Sequence, residues 1–184
     1  MKIQKCVQQF SYLLFELNRM NNTRWWRWIS CWFTIGFWCI ASYRIERALY
    51  LLLGKLYPMI RIIFSPLIFL FSPWLGRAEI HYRAKIGKGL IILHPTLGVV
   101  VSGASVIGEN LTLSGGNCIG GRKKLNTGEI LIGDNVTLGI NSIILGPVKI
   151  GSEVEISPGA VVTNDVDNEK VVVAIPPRTI AKAR

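Results

Sequence analysis

The feature that most constrains this chain is an aliphatic residue that recurs at every sixth position. Between Ile132 and Val166 the series is Ile132, Leu138, Ile144, Ile150, Ile156 and Val162. A period of six fits neither an α-helix, with about 3.6 residues per turn, nor the alternation of a single strand. It fits a chain that turns a corner every six residues and points one aliphatic side chain inward from each flat side. The pattern therefore predicts a parallel β-helix of hexapeptide repeats and a mainly β fold.

Two shorter blocks upstream share this period, and together with the main series they give thirteen hexads. Their aliphatic positions are Ile80, Ile86 and Ile92 in one block, and Val101, Ile107, Leu113 and Ile119 in the other. Three residues are inserted after Ile92, and a Gly/Lys/Asn-rich stretch follows Ile119. At three sides per coil, thirteen hexads predict about four coils.

Residues within these blocks resemble a known family. Glu79–His94 (EIHYRAKIGKGLIILH), Gly98–Gly108 (GVVVSGASVIG) and Ala174–Ile180 (AIPPRTI) resemble the catalytic domain of the serine acetyltransferases, which are hexapeptide-repeat acyltransferases. The likeness extends over about Ile35–Ile180 and includes Gly36-Phe37 and Tyr43-Arg44-Ile45. It implies a left-handed β-helix, acetyl-coenzyme A as the acetyl donor, and an active site between the subunits of a homotrimer.

Charge divides the chain into two parts. Residues 1–77 hold ten Lys/Arg and two acids, whereas residues 78–184 hold eleven Lys/Arg and nine acids. We predict a helical, aromatic-rich N-terminal segment at residues 1–76 and a β-helix acetyltransferase domain at residues 77–184. The second part is too nearly neutral for a groove that follows nucleic-acid phosphates, so no nucleic-acid partner is expected.

The N-terminal segment is basic, aliphatic and rich in tryptophan. Trp25, Trp26, Trp28, Trp32 and Trp38 fall within fourteen residues. The uncharged run 28–43 has sixteen residues, fewer than the about twenty that a spanning helix needs. This composition predicts peripheral contact with an anionic membrane surface, and packing on the coils or on a neighbouring subunit is the alternative. No secretory signal pattern is present, so we expect a cytoplasmic protein, with the cytoplasmic face of the inner membrane as its place if the contact forms.

The four cysteines, Cys6, Cys31, Cys39 and Cys118, form no CxxC pair and show no metal-ligand spacing with either histidine. The sequence therefore predicts reduced thiols and no metal site.

Transfer of an acyl group from a thioester to a hydroxyl requires a general base. The chain has two histidines, His81 and His94. His94 lies just before the three-residue insertion and matches the catalytic histidine of the family, so we predict that it is the base. Glu79 matches the aspartate that orients this histidine in the family and is predicted to do the same here; a solvated carboxylate is the alternative. His81 is predicted to line the acceptor site, with a plain surface role as the alternative.

Donor binding is predicted on the later coils, where Gly120-Gly121 resembles the Gly-Gly turn that faces the pantetheine arm in the family. The predicted contacts of acetyl-coenzyme A are Gly120, Gly121, Lys123, Gly139, Ile140, Ser142, Ser157, Gly159 and Arg178. For the glycines, the alternative is an ordinary corner of the β-helix.

Departures from the family pattern bear on the acceptor. The serine acetyltransferases carry an Asp-Pro before the Gly-Phe helix and an Arg-His-Pro after the Gly-Gly turn, and neither motif occurs in residues 27–35 or 122–129. A site for a zwitterion needs a partner for each charge. We therefore predict that serine is a poor acceptor. The resemblance to similar proteins with a reduced pocket implies instead that a sugar hydroxyl of a capsular polysaccharide, an exopolysaccharide or a lipid-linked precursor is acetylated. The alternatives are a serine O-acetyltransferase of cysteine biosynthesis and a non-catalytic trimeric scaffold.

Overall fold

The computed structural model describes residues 2–21, 32–63, 65–66 and 78–175. The predicted donor contact Arg178 lies outside the described residues. So do Trp25, Trp26 and Trp28, and the predicted boundary between the two parts at residues 76 and 77.

Residues 78–175 form short parallel strands that build three sheets, which we call sides A, B and C. Side A contains β1 (Ala78–Ile80), β4 (Val99–Val101), β7 (Asn117–Gly121), β10 (Ile143–Gly146) and β13 (Val161–Val162). Side B contains β2 (Lys85–Ile86), β5 (Ser105–Ile107), β8 (Ile130–Ile132) and β11 (Val148–Ile150). Side C contains β3 (Ile91–Ile92), β6 (Thr112–Leu113), β9 (Thr137–Leu138), β12 (Glu155–Ile156) and β14 (Val171–Val172). The chain visits the sides in the order A, B, C, so the predicted parallel β-helix of about four coils is confirmed.

The aliphatic residues of the six-residue period form the interior of the solenoid. Strand register stacks them directly over one another, for example Ile80 on Val101 and Val101 on Ile119 along side A. All thirteen are buried, with Ile80 the most exposed at 8%. Their burial is the main stabilising term of this domain, because each removes a branched side chain from water.

The two interruptions of the period occur at edges of the solenoid. Residues inserted after β3 form a short 3-10 helix, Pro95–Leu97, before side A resumes at Val99. The Gly/Lys/Asn-rich stretch forms a loop, residues 122–129, between β7 and β8. Both insertions leave the stacking of the strands intact, since β4 still pairs with β7 and β5 with β8.

The N-terminal part is helical and closes the first coil. It contains α1 (Lys2–Asn21), α2 (Ile35–Leu53), a 3-10 turn (Gly54–Leu56) and helical residues 57–63. None of the helices in the described residues is long and apolar enough to cross a membrane.

Side chains of α2 satisfy backbone carbonyls that the first coil would otherwise leave without a partner. Arg44 donates to the carbonyls of Ile86 at 2.9 Å and Gly87 at 2.6 Å. Tyr43 donates to the carbonyl of Ala84 at 2.9 Å. Such a cap protects the end of the sheets, where exposed strand edges invite further pairing.

A carboxylate from α1 completes this cap. Glu16 forms a salt bridge with Arg44, and each side chain is only 1% exposed. Glu16 also accepts a hydrogen bond from the backbone N–H of Leu90 at 3.0 Å. The pair therefore joins both helices to the first coil.

Candidate active site

His94 lies at the edge where the chain passes from side C to side A, which we call the CA edge. It precedes the 3-10 helix Pro95–Leu97 as its N-cap residue, and its carbonyl accepts a hydrogen bond from the N–H of Leu97 at 3.2 Å. The side chain is exposed. The insertion thus fixes the backbone of His94 and leaves its imidazole accessible, as a general base requires.

Gly115 of the next coil packs directly beneath His94. Its φ of 118° lies in the region that favours glycine. A Cβ on Gly115 would stand 2.5 Å from the carbonyl oxygen of His94 and 3.1 Å from its Cβ. Only glycine therefore allows His94 its observed position. Gly115 was not among the predicted site residues. The two consecutive glycines 115 and 116 at a corner were the signal in the sequence that could have indicated it.

Asn117 holds Gly115 in place from the interior. It is 2% exposed, and its Oδ1 accepts the N–H of Gly115 at 2.8 Å. Its Nδ2 donates to the carbonyl of Gly139 at 2.7 Å and to Ser142 Oγ at 3.0 Å. The network links two successive corners of the CA edge. It was not predicted, because a buried asparagine leaves no mark on the six-residue period.

Ser142, one of the predicted donor contacts, lies inside the solenoid, and its contact with the donor remains a prediction. Ser142 is fully buried, and its hydroxyl accepts the hydrogen bond from Asn117. Its place in the hexad is the one occupied elsewhere by Val136, Val154 and Ala160, all of which face inward. The hydroxyl is therefore a structural group of the solenoid.

The other predicted donor contacts on later coils share the CA edge with His94. Ile140 is 37% exposed, and Gly159 has a φ of 70° and is exposed. Ser157 is half-buried beside it. Gly139 has a packing reason to be glycine, because a Cβ there would stand 2.5 Å from the nitrogen of Pro158. The CA edge is thus a continuous surface from His94 toward the last coils.

Gly120 and Gly121 lie at the opposite edge of side A, where the chain leaves for side B; we call this the AB edge. A Cβ on Gly120 would meet only the sulfur of Cys118, at 3.7 Å. Gly121 differs, since a Cβ there would stand 2.6 Å from Leu125. Contacts within the chain therefore require glycine at position 121, whereas a side chain at position 120 would have room.

The loop that follows, residues 122–129, presents three consecutive cations. Arg122, Lys123 and Lys124 are all exposed. Leu125 anchors the loop by packing against the core. The loop's one acid, Glu129, is engaged internally, because its carboxylate accepts the N–H of Asn126 at 2.6 Å. The loop therefore offers positive charge at the AB edge.

Glu79 and His94 are not joined by a hydrogen bond in the described part of the chain. Glu79 stands on the outward face of side A, where it is paired in register with Val100. Its charge partly opposes the burial and the neighbouring arginines that together lower the pKa of His81. The predicted role of Glu79 as the residue that orients His94 remains a prediction.

His81 lies at the AB edge and is held by its own neighbours. Its Nδ1 accepts the N–H of Arg83 at 3.1 Å, and its ring stacks on Tyr82 with centroids 4.4 Å apart. Burial, together with the nearby charges of Arg83 and Arg61, lowers the pKa of His81 despite the opposing effect of Glu79. His81 is therefore favoured as a neutral imidazole, and its place in an acceptor site remains a prediction.

A cavity of about 620 Å³ lies between the helices and the first coil, beside His94. Leu93 and Pro95, the neighbours of His94, form part of its wall, and Gly36 and Met20 face them from the helices. Among the described residues that line the cavity, Arg19 is the charged one. The cavity gives a small molecule a place to lie near the histidine.

Comparisons with known proteins identify the class. The family model for the bacterial transferase hexapeptide (six repeats) matches residues 129–164. The chain is 39% identical to the serine acetyltransferase of Staphylococcus epidermidis over 128 residues, which cover 69% of this chain and 60% of that protein.

Solved structures agree with this relative. Soybean serine acetyltransferase apoenzyme superposes with a TM-score of 0.74 at 29% identity, covering 94% of this chain and 69% of that one. Neisseria gonorrhoeae serine acetyltransferase in complex with serine superposes with a TM-score of 0.73 at 27% identity, covering 97% of this chain and 73% of that one.

The family match and the superposed structures support the left-handed parallel β-helix that the resemblance implied. Residues 129–164 match the hexapeptide-repeat transferase family, and the chain is similar to the serine acetyltransferases in sequence and in fold. It spans about three fifths of the length of the curated relatives it matches, 60% in the case of the Staphylococcus epidermidis protein.

These comparisons correct the predicted acceptor. The expectation of a polysaccharide O-acetyltransferase is wrong, because the similar proteins are serine acetyltransferases. The error came from treating the missing Asp-Pro and Arg-His-Pro motifs as a missing zwitterion site. Charged groups at other positions can pair with the carboxylate of an amino acid, and loop 122–129 exposes three cations.

Proposed function

We propose that the chain is an acetyl-coenzyme A-dependent O-acetyltransferase that acetylates the hydroxyl of serine. The observation that carries the proposal is the similarity to serine acetyltransferases at 39% identity, combined with an exposed histidine fixed at the CA edge. In this role His94 accepts the proton of the serine hydroxyl as the oxygen attacks the thioester carbonyl. The bond from that oxygen to the acetyl carbon forms, the carbon–sulfur bond breaks, and coenzyme A leaves as the thiol.

The outward face of side A supports the predicted homotrimer. Strand register aligns one outward residue from each of the later strands in a column: Val100, Cys118, Ile143 and Val161. Val100 is 44% exposed and Val161 is 55% exposed. The corresponding column on side B includes Lys85 and Lys149, both exposed. Side A is therefore the apolar face, and a face of this kind favours burial against further copies of the chain.

Packing side A around a threefold axis would bring the two edges together. The CA edge of one protomer, with His94, would then meet the AB edge of its neighbour, with Gly120 and loop 122–129. Within one chain these edges lie on opposite borders of side A. This arrangement explains why the base and the Gly-Gly turn are separated in a single protomer, and it places cations of the loop where they can bind the serine carboxylate or the phosphates of coenzyme A.

We also propose a cytoplasmic location, where acetyl-coenzyme A is available, with contact to the inner face of the cell membrane through residues 1–76. The basic and apolar composition of that segment supports this contact.

Release of coenzyme A thiol in the presence of L-serine tests the function. We expect serine-dependent release with a KM in the millimolar range or below, which is usual for enzymes. Serinol, which keeps the hydroxyl and the ammonium group but lacks the carboxylate, is the matched acceptor. We expect its kcat/KM to be at least about tenfold lower, because a carboxylate bound by a cation contributes more than 1 kcal/mol or so.

Absence of thiol release with serine, in a preparation whose β-helix is intact by circular dichroism, would contradict the proposal. Substitution of the apolar face tests the assembly. Val100→Lys should give monomers by light scattering and abolish turnover, whereas Val171→Lys, an exposed valine on side C, should leave both unchanged.

A further inference from the structure

Helix α2 buries apolar residues on its inward face, and it also carries apolar residues on its outward face. Its arginines point inward, since Arg44 and Arg47 both donate to carbonyls of the first coil. The residues that point outward are mainly apolar and follow helical spacing: Trp38, Ile45, Leu49 and Leu52, which are 37–45% exposed. A helix at the surface of a soluble protein normally shows its charged residues to water and buries its apolar ones.

The segment after α2 continues this exposure of apolar groups. Leu56, Met59, Ile62 and Ile63 are 61–72% exposed. Together with the outward residues of α2 they form what we call the helical apolar surface. Apolar surface of this extent marks a place where the protein contacts something other than water.

In the described residues of the helical region, the charges left outside ion pairs are positive. Residues 1–77 contain two acids, Glu16 and Glu46. Glu16 is buried in its salt bridge with Arg44, and Glu46 pairs with Arg61 at 3.4 Å. Lys55 is exposed on the turn that follows α2, and Lys2 and Lys5 are exposed at the start of α1. Both acids are thus neutralised by arginine, and the free charge of the helical region is positive.

We propose that the helical apolar surface docks onto an anionic lipid bilayer. Apolar side chains enter the headgroup region, and the lysines meet lipid phosphates, which is how amphipathic helices bind membranes peripherally. The opposite face of α2 holds the first coil through Arg44 and Arg47, so the solenoid is held away from the bilayer and its CA edge stays in water. This docking rests on the membrane contact proposed above and is independent of acetyl transfer.

Cosedimentation of the full chain with vesicles tests the proposal. We expect the chain to bind vesicles that contain phosphatidylglycerol, and to bind vesicles of phosphatidylcholine alone at least about tenfold more weakly. Binding to the phosphatidylglycerol vesicles should weaken as the salt concentration is raised. Leu49→Gln combined with Leu52→Gln should lower binding by about tenfold or more, because both side chains leave the apolar phase. The matched control, Val171→Gln combined with Val173→Gln, removes two exposed valines from the solenoid and should bind as the unsubstituted chain does.

Circular dichroism and thiol release with serine show whether each variant is folded, since none of these residues belongs to the proposed catalytic site. Failure of the folded, unsubstituted chain to bind anionic vesicles would overturn the proposal. Equal binding to both lipids, insensitive to salt, would also overturn it. A third contradictory outcome is a larger assembly in solution that Leu49→Gln and Leu52→Gln dissociate, because the surface would then be covered by a second copy of the chain.

Discussion

The solenoid and the helical region are held by different kinds of interaction. In the solenoid, the thirteen aliphatic side chains of the six-residue period face inward, and backbone groups pair from coil to coil, as in Gly108 N–H to the carbonyl of Ile132 at 2.9 Å. The helical region packs Cys39 and Ile40 against the same core, and in addition Arg44 and Arg47 donate to carbonyls of the first coil. Repeated contacts therefore stabilise the solenoid, whereas the helical region also depends on a few buried polar contacts.

The two regions therefore depend on single residues to different degrees. A solenoid coil distributes its stability over several similar contacts with its neighbours. The cap concentrates it in one buried ion pair between Glu16 and Arg44. Loss of one partner of such a pair leaves an uncompensated buried charge, which is among the largest penalties a substitution can cause.

The largest effect on stability is therefore expected in the cap. Arg44→Ala should lower the free energy of unfolding by about 3–5 kcal/mol, because Glu16 loses its counter-charge and two carbonyls lose their donor. Arg61→Ala is the matched control, since its ion pair with Glu46 is exposed, with side chains 45% and 23% accessible, and should cost about 0–1 kcal/mol. Denaturant unfolding at one fixed protein concentration measures both. If both substitutions lowered the free energy of unfolding equally, the stability of the chain would not depend on the buried ion pair of the cap.

A smaller effect is expected at the corner beneath His94. Asn117→Ala should lower the free energy of unfolding by about 1–3 kcal/mol, since Gly115 and Gly139 both lose a buried hydrogen-bond partner. The same substitution should lower kcat for serine. Ser142→Ala should cost about 1 kcal/mol and leave kcat nearly unchanged, because Asn117 keeps its bonds to both glycines. Unfolding and steady-state kinetics on both variants separate the two roles. A fall in kcat for Ser142→Ala as large as that for Asn117→Ala would sink the assignment of Asn117 as a positioning residue.

The smallest effect concerns the protonation of His81. Its pKa is lowered by burial and by Arg83 and Arg61, so the unfolded chain binds this proton more readily than the folded chain does. This part of the stability is present above the unfolded pKa of about 6.5 and decreases as the pH falls through that value toward the folded pKa. When unfolding is measured at several pH values, acidification should lower the free energy of unfolding less in His81→Gln than in the unsubstituted chain. An identical pH dependence would show that His81 titrates as if it were exposed.

The sequence predicted most of the solenoid, because the period of six is a direct record of which side chains face inward. It also predicted an accessible position for His94, since the insertion after Ile92 interrupts that period. The same record places Ser142 inside, where its hydroxyl accepts a hydrogen bond from Asn117. Asn117 escaped prediction because a hydrogen-bond network between neighbouring coils leaves no mark on the period.

The helical region was less predictable for a physical reason. Hydrophobic patterning assumes that charged residues face water, and in α2 the arginines face inward to bind carbonyls. Sequence alone does not show that a solenoid end supplies unpaired carbonyls to attract them. The acceptor was mispredicted for a related reason, because absence of a motif says nothing about charges that other residues supply.

In the proposed reaction the exposed imidazole of His94, which lies on the CA edge, acts as the general base that accepts the proton of the serine hydroxyl. The most direct measurement is thiol release from acetyl-coenzyme A with saturating L-serine for His94→Ala, alongside circular dichroism and light scattering to show an unchanged fold and assembly. The account predicts a kcat lower by about 10²–10⁴-fold in a folded protein. Turnover of the folded variant within a few-fold of the unsubstituted chain would contradict it.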